Sequence, residues 1–177
     1  HIAVVAVAAP LLALATAGGV ADPVRLMPRV VAPIPASMIE LVAVWAWHAP
    51  ALHNAARQDA TALVLEQATF LIAGVLLWIA AIGGDPEQRR LRAGSGVVAL
   101  LFTSMHMTLL GALFALANRP IFHAASSGSS SVADQQLGGV IMLLVGGASY
   151  LLGGLWLTAI ALRARNGPTA RRQESAT

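Results

Sequence analysis

The chain has 177 residues, of which 57% are apolar and only 11% charged, far below the roughly 25% charge of a soluble domain. That balance excludes a soluble fold, because a domain of this size cannot bury so much apolar surface. All eleven basic residues are arginine and lie between apolar stretches rather than on one face, which argues against nucleic acid as a partner and for a lipid bilayer.

The first apolar stretch, Ile2 to Val20, lacks a basic leader and is too uniformly apolar for a signal peptide, so it predicts a spanning helix. Since the chain opens at His1 inside that stretch, further sequence is expected upstream. Val30 to Trp47, Ala62 to Gly83, Ser95 to Ala117 and Leu137 to Leu162 follow, each near the ~20 residues that a hydrocarbon core requires. Backbone polar groups in lipid must be satisfied within the segment, which makes each stretch a helix. Continuous apolar runs without alternation exclude a β-barrel. The expected fold is all-α, a polytopic transmembrane bundle of about five spans over residues 1–166, with a disordered basic tail over 167–177.

Arginine placement predicts the topology. Arg25, Arg29, Arg89, Arg90, Arg92, Arg163, Arg165, Arg171 and Arg172 fall on one side, and only Arg57 and Arg119 on the other. The positive-inside rule puts the first group, with the C-terminus, in the cytoplasm of a bacterial inner membrane. His1, His48, His53 and His123 then lie toward the outer surface, as does the Gly/Ser tract Ser126 to Ser131, expected to be mobile.

Three ionisable groups fall inside the spans, where they are costly. Glu66 lies about one turn inside the outer end of its helix. Glu40 and His106 share a depth near the midplane and are expected to form an intramembrane polar pair, directly or through one water. Met105 and Met107 flank His106, and Met142 lies at the depth of the outer histidines. Without cysteine, any metal must be held by histidine, methionine, carboxylate or amide groups. Thioethers and imidazoles suit cuprous copper. A single deep histidine does not make a bis-histidine haem site, so no haem is expected. Gly138/Gly139, Gly146/Gly147 and Gly153/Gly154 place small residues along one face of the last helix for close packing. No phosphate loop or nucleophile triad is present, and no catalytic residue is assigned.

The order of several short segments resembles the CtaG family of cytochrome c oxidase assembly factors, in its polytopic, cysteine-free form. These are His1 with Ala8-Ala9-Pro10-Leu11-Leu12, Trp47-His48-Ala49-Pro50-Ala51-Leu52, and Glu66-Gln67-Ala68-Thr69-Phe70. Gly111-Ala112-Leu113, Arg119-Pro120-Ile121-Phe122 and Asp134-Gln135-Gln136-Leu137-Gly138-Gly139-Val140-Ile141-Met142 complete the series. The resemblance implies a non-catalytic role in maturing a haem-copper oxidase, with copper as cargo and oxidase subunits as partners. It implies metal ligands among His1, His48, His53 and Met142, supported by Trp47, Pro50, Glu66, Gln67, Asp134, Gln135 and Gln136. Family members usually have more spans than these five, and His1 would be the second of two histidines.

The chain departs from the family pattern at two places. Gln67 stands where the family commonly has histidine, and His53 where an aromatic is usual. An amide is a poor copper ligand. The competing expectation is therefore a permanent accessory subunit of a respiratory or other membrane complex that has lost metal binding. A transporter is a weaker expectation still, because no pair of broken helices accompanies Glu40 and His106.

Overall fold

The computed structural model describes residues 1–28, 31–121 and 132–174, with side chains up to 163. His123 and the Ser126 to Ser131 tract lie outside the described residues. Seven helices are described: α1 (Val4–Thr16), α2 (Pro23–Leu26), α3 (Pro33–Trp47), α4 (Pro50–Gln58), α5 (Ala60–Ile82), α6 (Pro86–Ala115) and α7 (Val132–Arg163). No strand occurs among the described residues, and the chain is a helical membrane bundle. Helices α5, α6 and α7 are long and apolar enough to cross a membrane, whereas α1 and α3 are apolar but shorter than 18 residues.

Proline and aspartate set several starts. Pro33, Pro50 and Pro86 occupy the first turns of α3, α4 and α6, where a missing N–H costs nothing. Asp59 caps α5 through Thr61 N and Ala62 N. Asp85 and Gln88 form a reciprocal capping box on α6. That cap starts α6 well before the expected Ser95, so Arg89, Arg90 and Arg92 lie on the helix rather than in a loop. Likewise α7 begins ahead of Leu137, and Asp134, Gln135 and Gln136 ride on it. The last helix runs on to Glu174, over residues expected as a tail.

Helix α5 is the central post, packing against α1, α3, α4 and α6, while α6 also packs against α3 and α7. Their shared core includes Phe70, Leu77, Trp78, Leu100, Tyr150 and Leu157. The paired glycines of α7 act as expected, through the second member of the first two pairs and through both members of the third, where a Cβ on Gly153 would collide with Trp78 Cη2. A Cβ on Gly147 would meet Thr108 Oγ1 at 2.6 Å, and one on Gly154 would meet Leu101 Cδ2 at 2.8 Å. Gly139 approaches Gly111 so closely that a Cβ there would lie 2.7 Å from its carbonyl oxygen. Two π-helical turns interrupt the bundle, at Val4–Ala8 in α1 and Met142–Gly147 in α7. Each offers a carbonyl to a hydroxyl of a neighbouring helix: Ser149 donates to Ala6 O and Ser104 to Gly147 O, both at 2.8 Å.

At the arginine-rich end, Asp22 ties three segments together. Its carboxylate accepts from Gly18 N (2.7 Å), Val24 N (2.9 Å) and Gly84 N (2.6 Å). Burial pushes this carboxyl up, but those three amides and the charge of Arg25 outweigh it and leave it below the ordinary carboxylate value. Gly18 and Gly84 have φ of +76° and +88°, which other residues adopt only under strain.

Candidate functional site

At the opposite end of the bundle, four rings from four helical segments converge. His1, ahead of α1, meets His48 edge-on with centroids 5.0 Å apart and an interplanar angle of 83°. Phe70 of α5 lies 5.3 Å from His1 and 6.1 Å from His48. Phe114 of α6 stacks on His48 at 5.5 Å. The two histidines named from the sequence are therefore brought together, between aromatic walls that the sequence reading did not identify.

His48 is the residue that closes α3. Val44 O accepts both its backbone N–H, at 3.2 Å, and its ring Nδ1, at 2.7 Å. A carbonyl can only accept, so Nδ1 carries the proton and the neutral ring keeps its lone pair on Nε2. Burial lowers the His48 pKa, against the opposing pull of the Val44 carbonyl and the Glu66 charge. The neutral, ligand-competent form is thus the favoured one at neutral pH.

Glu66, on α5 one turn before Phe70, is only 2% exposed. Its Oε2 accepts from Gln67 Nε2 at 3.1 Å, so Gln67 is bonded to the carboxylate beside the histidines. Its amide fits poorly as a ligand but holds Glu66 in place. His53 sits on α4, half-buried, and is pushed down to about 4 by burial and by the positive charges of Arg57 and His48. Pro50 opens α4, and Trp47 packs against the core. Met142 is buried in the same core as Phe70 and Phe114, where the π-helical turn of α7 begins.

The Asp134-Gln135-Gln136 segment anchors the chain leaving α6. Gln135 Oε1 accepts from Ile121 N at 2.8 Å, and Gln136 Nε2 donates to Ala117 O at 3.0 Å. Asp134 lies in the first turn of α7. Gln135 and Gln136 therefore tie the start of α7 to Ile121 and Ala117.

Glu40 and His106, expected as a pair directly or through one water, lie on neighbouring helices without a direct hydrogen bond to each other. Both are buried, at 1% and 4% exposure, on helices that pack together. Yet the Glu40 carboxylate accepts from the Tyr150 hydroxyl, and both ring nitrogens of His106 lack a partner among the described residues. Tyr150 arrives from α7, stacked on Trp78 at 5.5 Å. Matched depth gave no information on which helix would supply the partner.

Among the described residues, no group of three His, Asp or Glu side chains is arranged to hold a metal ion. The donors in mutual contact at this end are the imidazoles of His1 and His48, with one buried carboxylate acting on His48. That set suits a soft, low-coordinate cation better than zinc, which takes four ligands.

No curated protein and no solved structure matches the chain. Residues 1–164 match the family described as cytochrome c oxidase caa3 assembly factor (Caa3_CtaG), over a stretch that reaches from the first helix into the last, and the chain belongs to that family.

Proposed function

We propose that this assembly factor holds cuprous copper between His1 and His48 at the outer membrane surface and passes it to a haem-copper oxidase. The observation that carries the reading is the edge contact of the two imidazoles, from positions 47 residues apart, beside a buried carboxylate. Two imidazoles in contact can share one ion. The tautomer of His48 leaves Nε2 free to bind it, while the Phe70 and Phe114 rings limit water. Glu66 supplies negative charge near a bound cation, held in place by Gln67. A weakly populated ligand shell also suits transfer, since cargo must leave as well as enter. The arginine asymmetry supports an orientation in which this end faces away from the cytoplasm of a bacterial inner membrane.

One observation favours the accessory-subunit reading instead: the residue in the family's histidine position, Gln67, is committed to Glu66. Titration of the purified protein with cuprous ion against a competing chelator separates the two. Copper binding in the wild type, weakened at least about tenfold in His48→Ala, supports the cargo reading. Equal binding in both proteins, or none in the wild type, overturns it and leaves the accessory role.

A further inference from the structure

We propose that the arginine-rich end of the bundle carries a site for the phosphate of an anionic phospholipid, built from Arg25, Arg89 and Arg92. The inference is independent of the outer histidines. Arg25 Nη1 donates to Gly18 O at 3.1 Å and Gly19 O at 3.4 Å. Arg89 Nη2 donates to Gly84 O at 3.2 Å and lies 3.7 Å from the Cβ position of Gly18. Two guanidinium groups therefore flank one glycine turn. Arg92 reaches across from α6 to Val31 O, and the charge of Asp22 acts on it.

These arginines are positioned but only partly neutralised, Asp22 being the one carboxylate whose charge acts on Arg25 and Arg92. Their hydrogen bonds among the described residues go to backbone carbonyls, which carry no net charge. Asp22, the buried carboxylate in their midst, already accepts from three backbone amides. Asp85 is committed to its capping box. Among the described side chains of this end, Arg25, Arg89, Arg90, Arg92 and Arg163 outnumber Asp22, Asp85 and Glu87 by two. Arg89 Nε and Arg92 Nη1 are buried without an acceptor. Unmet buried donors are costly, and phosphate oxygens answer several guanidinium N–H groups at once.

The surroundings choose a lipid over free phosphate. Val20 is 95% exposed and Leu91 78%, with Leu26 and Met27 also exposed on the same segments. Apolar side chains beside cations, at the end of a transmembrane bundle, match the join between acyl chains and headgroup.

Native mass spectrometry of the full chain in detergent tests this, with phosphatidylglycerol, phosphatidylcholine and inorganic phosphate as probes. The wild type should retain phosphatidylglycerol about tenfold better than phosphatidylcholine. R25Q/R89Q should lose that preference, while R57Q, at the other end, should keep it. Equal retention of the two lipids by the wild type would overturn the proposal without reliance on any variant. So would a preference unchanged in R25Q/R89Q. Displacement of phosphatidylglycerol by equimolar inorganic phosphate would overturn the lipid as occupant and leave a free-anion site.

Discussion

His48 offers a single ring nitrogen to the site, because the other is committed to the carbonyl of Val44. Its neighbour His53 carries the clearest pH signature of the outer end, with a pKa lowered from 6.5 to about 4. The unfolded chain therefore takes up a proton between those values that the folded chain refuses, so stability falls as pH drops from about 6.5 toward 4. His53→Gln should flatten that part of the profile. Thermal unfolding of the two proteins in the same detergent from pH 7 to pH 4 checks it; identical acid slopes would contradict the burial of His53. At this scale the sequence revealed which groups are polar at which depth, and little about their lateral partners. Glu40 shows why. Hydropathy fixes depth along a helix, but its rotation and its neighbours follow from side-chain packing, and these delivered Tyr150 rather than His106. The roles of Phe70 and Phe114 as walls of the site escaped notice for the same reason, although the segment from Glu66 to Phe70 already carried an i, i+4 pair on one helix face.

Among the elements, the α6–α7 contact depends on glycine at defined positions. Gly139 faces the backbone of α6 near Gly111 and Ala115, whereas Gly138 has nothing within 4 Å of its Cβ position. Gly139→Val should force the helices apart and destabilise by about 1–3 kcal/mol or more. Gly138→Ala should be neutral or slightly stabilising, because alanine is the better helix former. Melting temperatures of the two variants side by side measure the difference, and equal effects would contradict the packing described. The repeated Gly-Gly pairs made a small-residue face legible from the sequence, but only the structure distinguishes the packed Gly139 from the open Gly138, and shows both Gly153 and Gly154 packed. Helix ends were less legible. The cap at Asp85 and the proline opening α3 at Pro33 shift α6 and α3 from their apolar boundaries, since helix-start chemistry and hydropathy are separate signals.

At the scale of the whole molecule, the two ends of the bundle differ in kind. One gathers arginines around Asp22, and the other gathers histidines and phenylalanines around Glu66. The arginine asymmetry was legible without any structure, and it predicts which end faces out. With no native cysteine, single cysteines at Gln58 and Glu87, both exposed, give a clean test. In intact cells an impermeant thiol reagent should label Gln58→Cys and spare Glu87→Cys; the reverse pattern would contradict the orientation. The family connects the chain to oxidase assembly, and the most direct measurement of the role proposed for the histidine end is the copper content of the oxidase itself. Oxidase purified from cells carrying His48→Ala should hold its haem and subunits but at least about tenfold less copper than oxidase from wild-type cells. A fully metallated oxidase in the His48→Ala cells, or loss of its subunits with copper stoichiometry intact in whatever remains, would contradict the account.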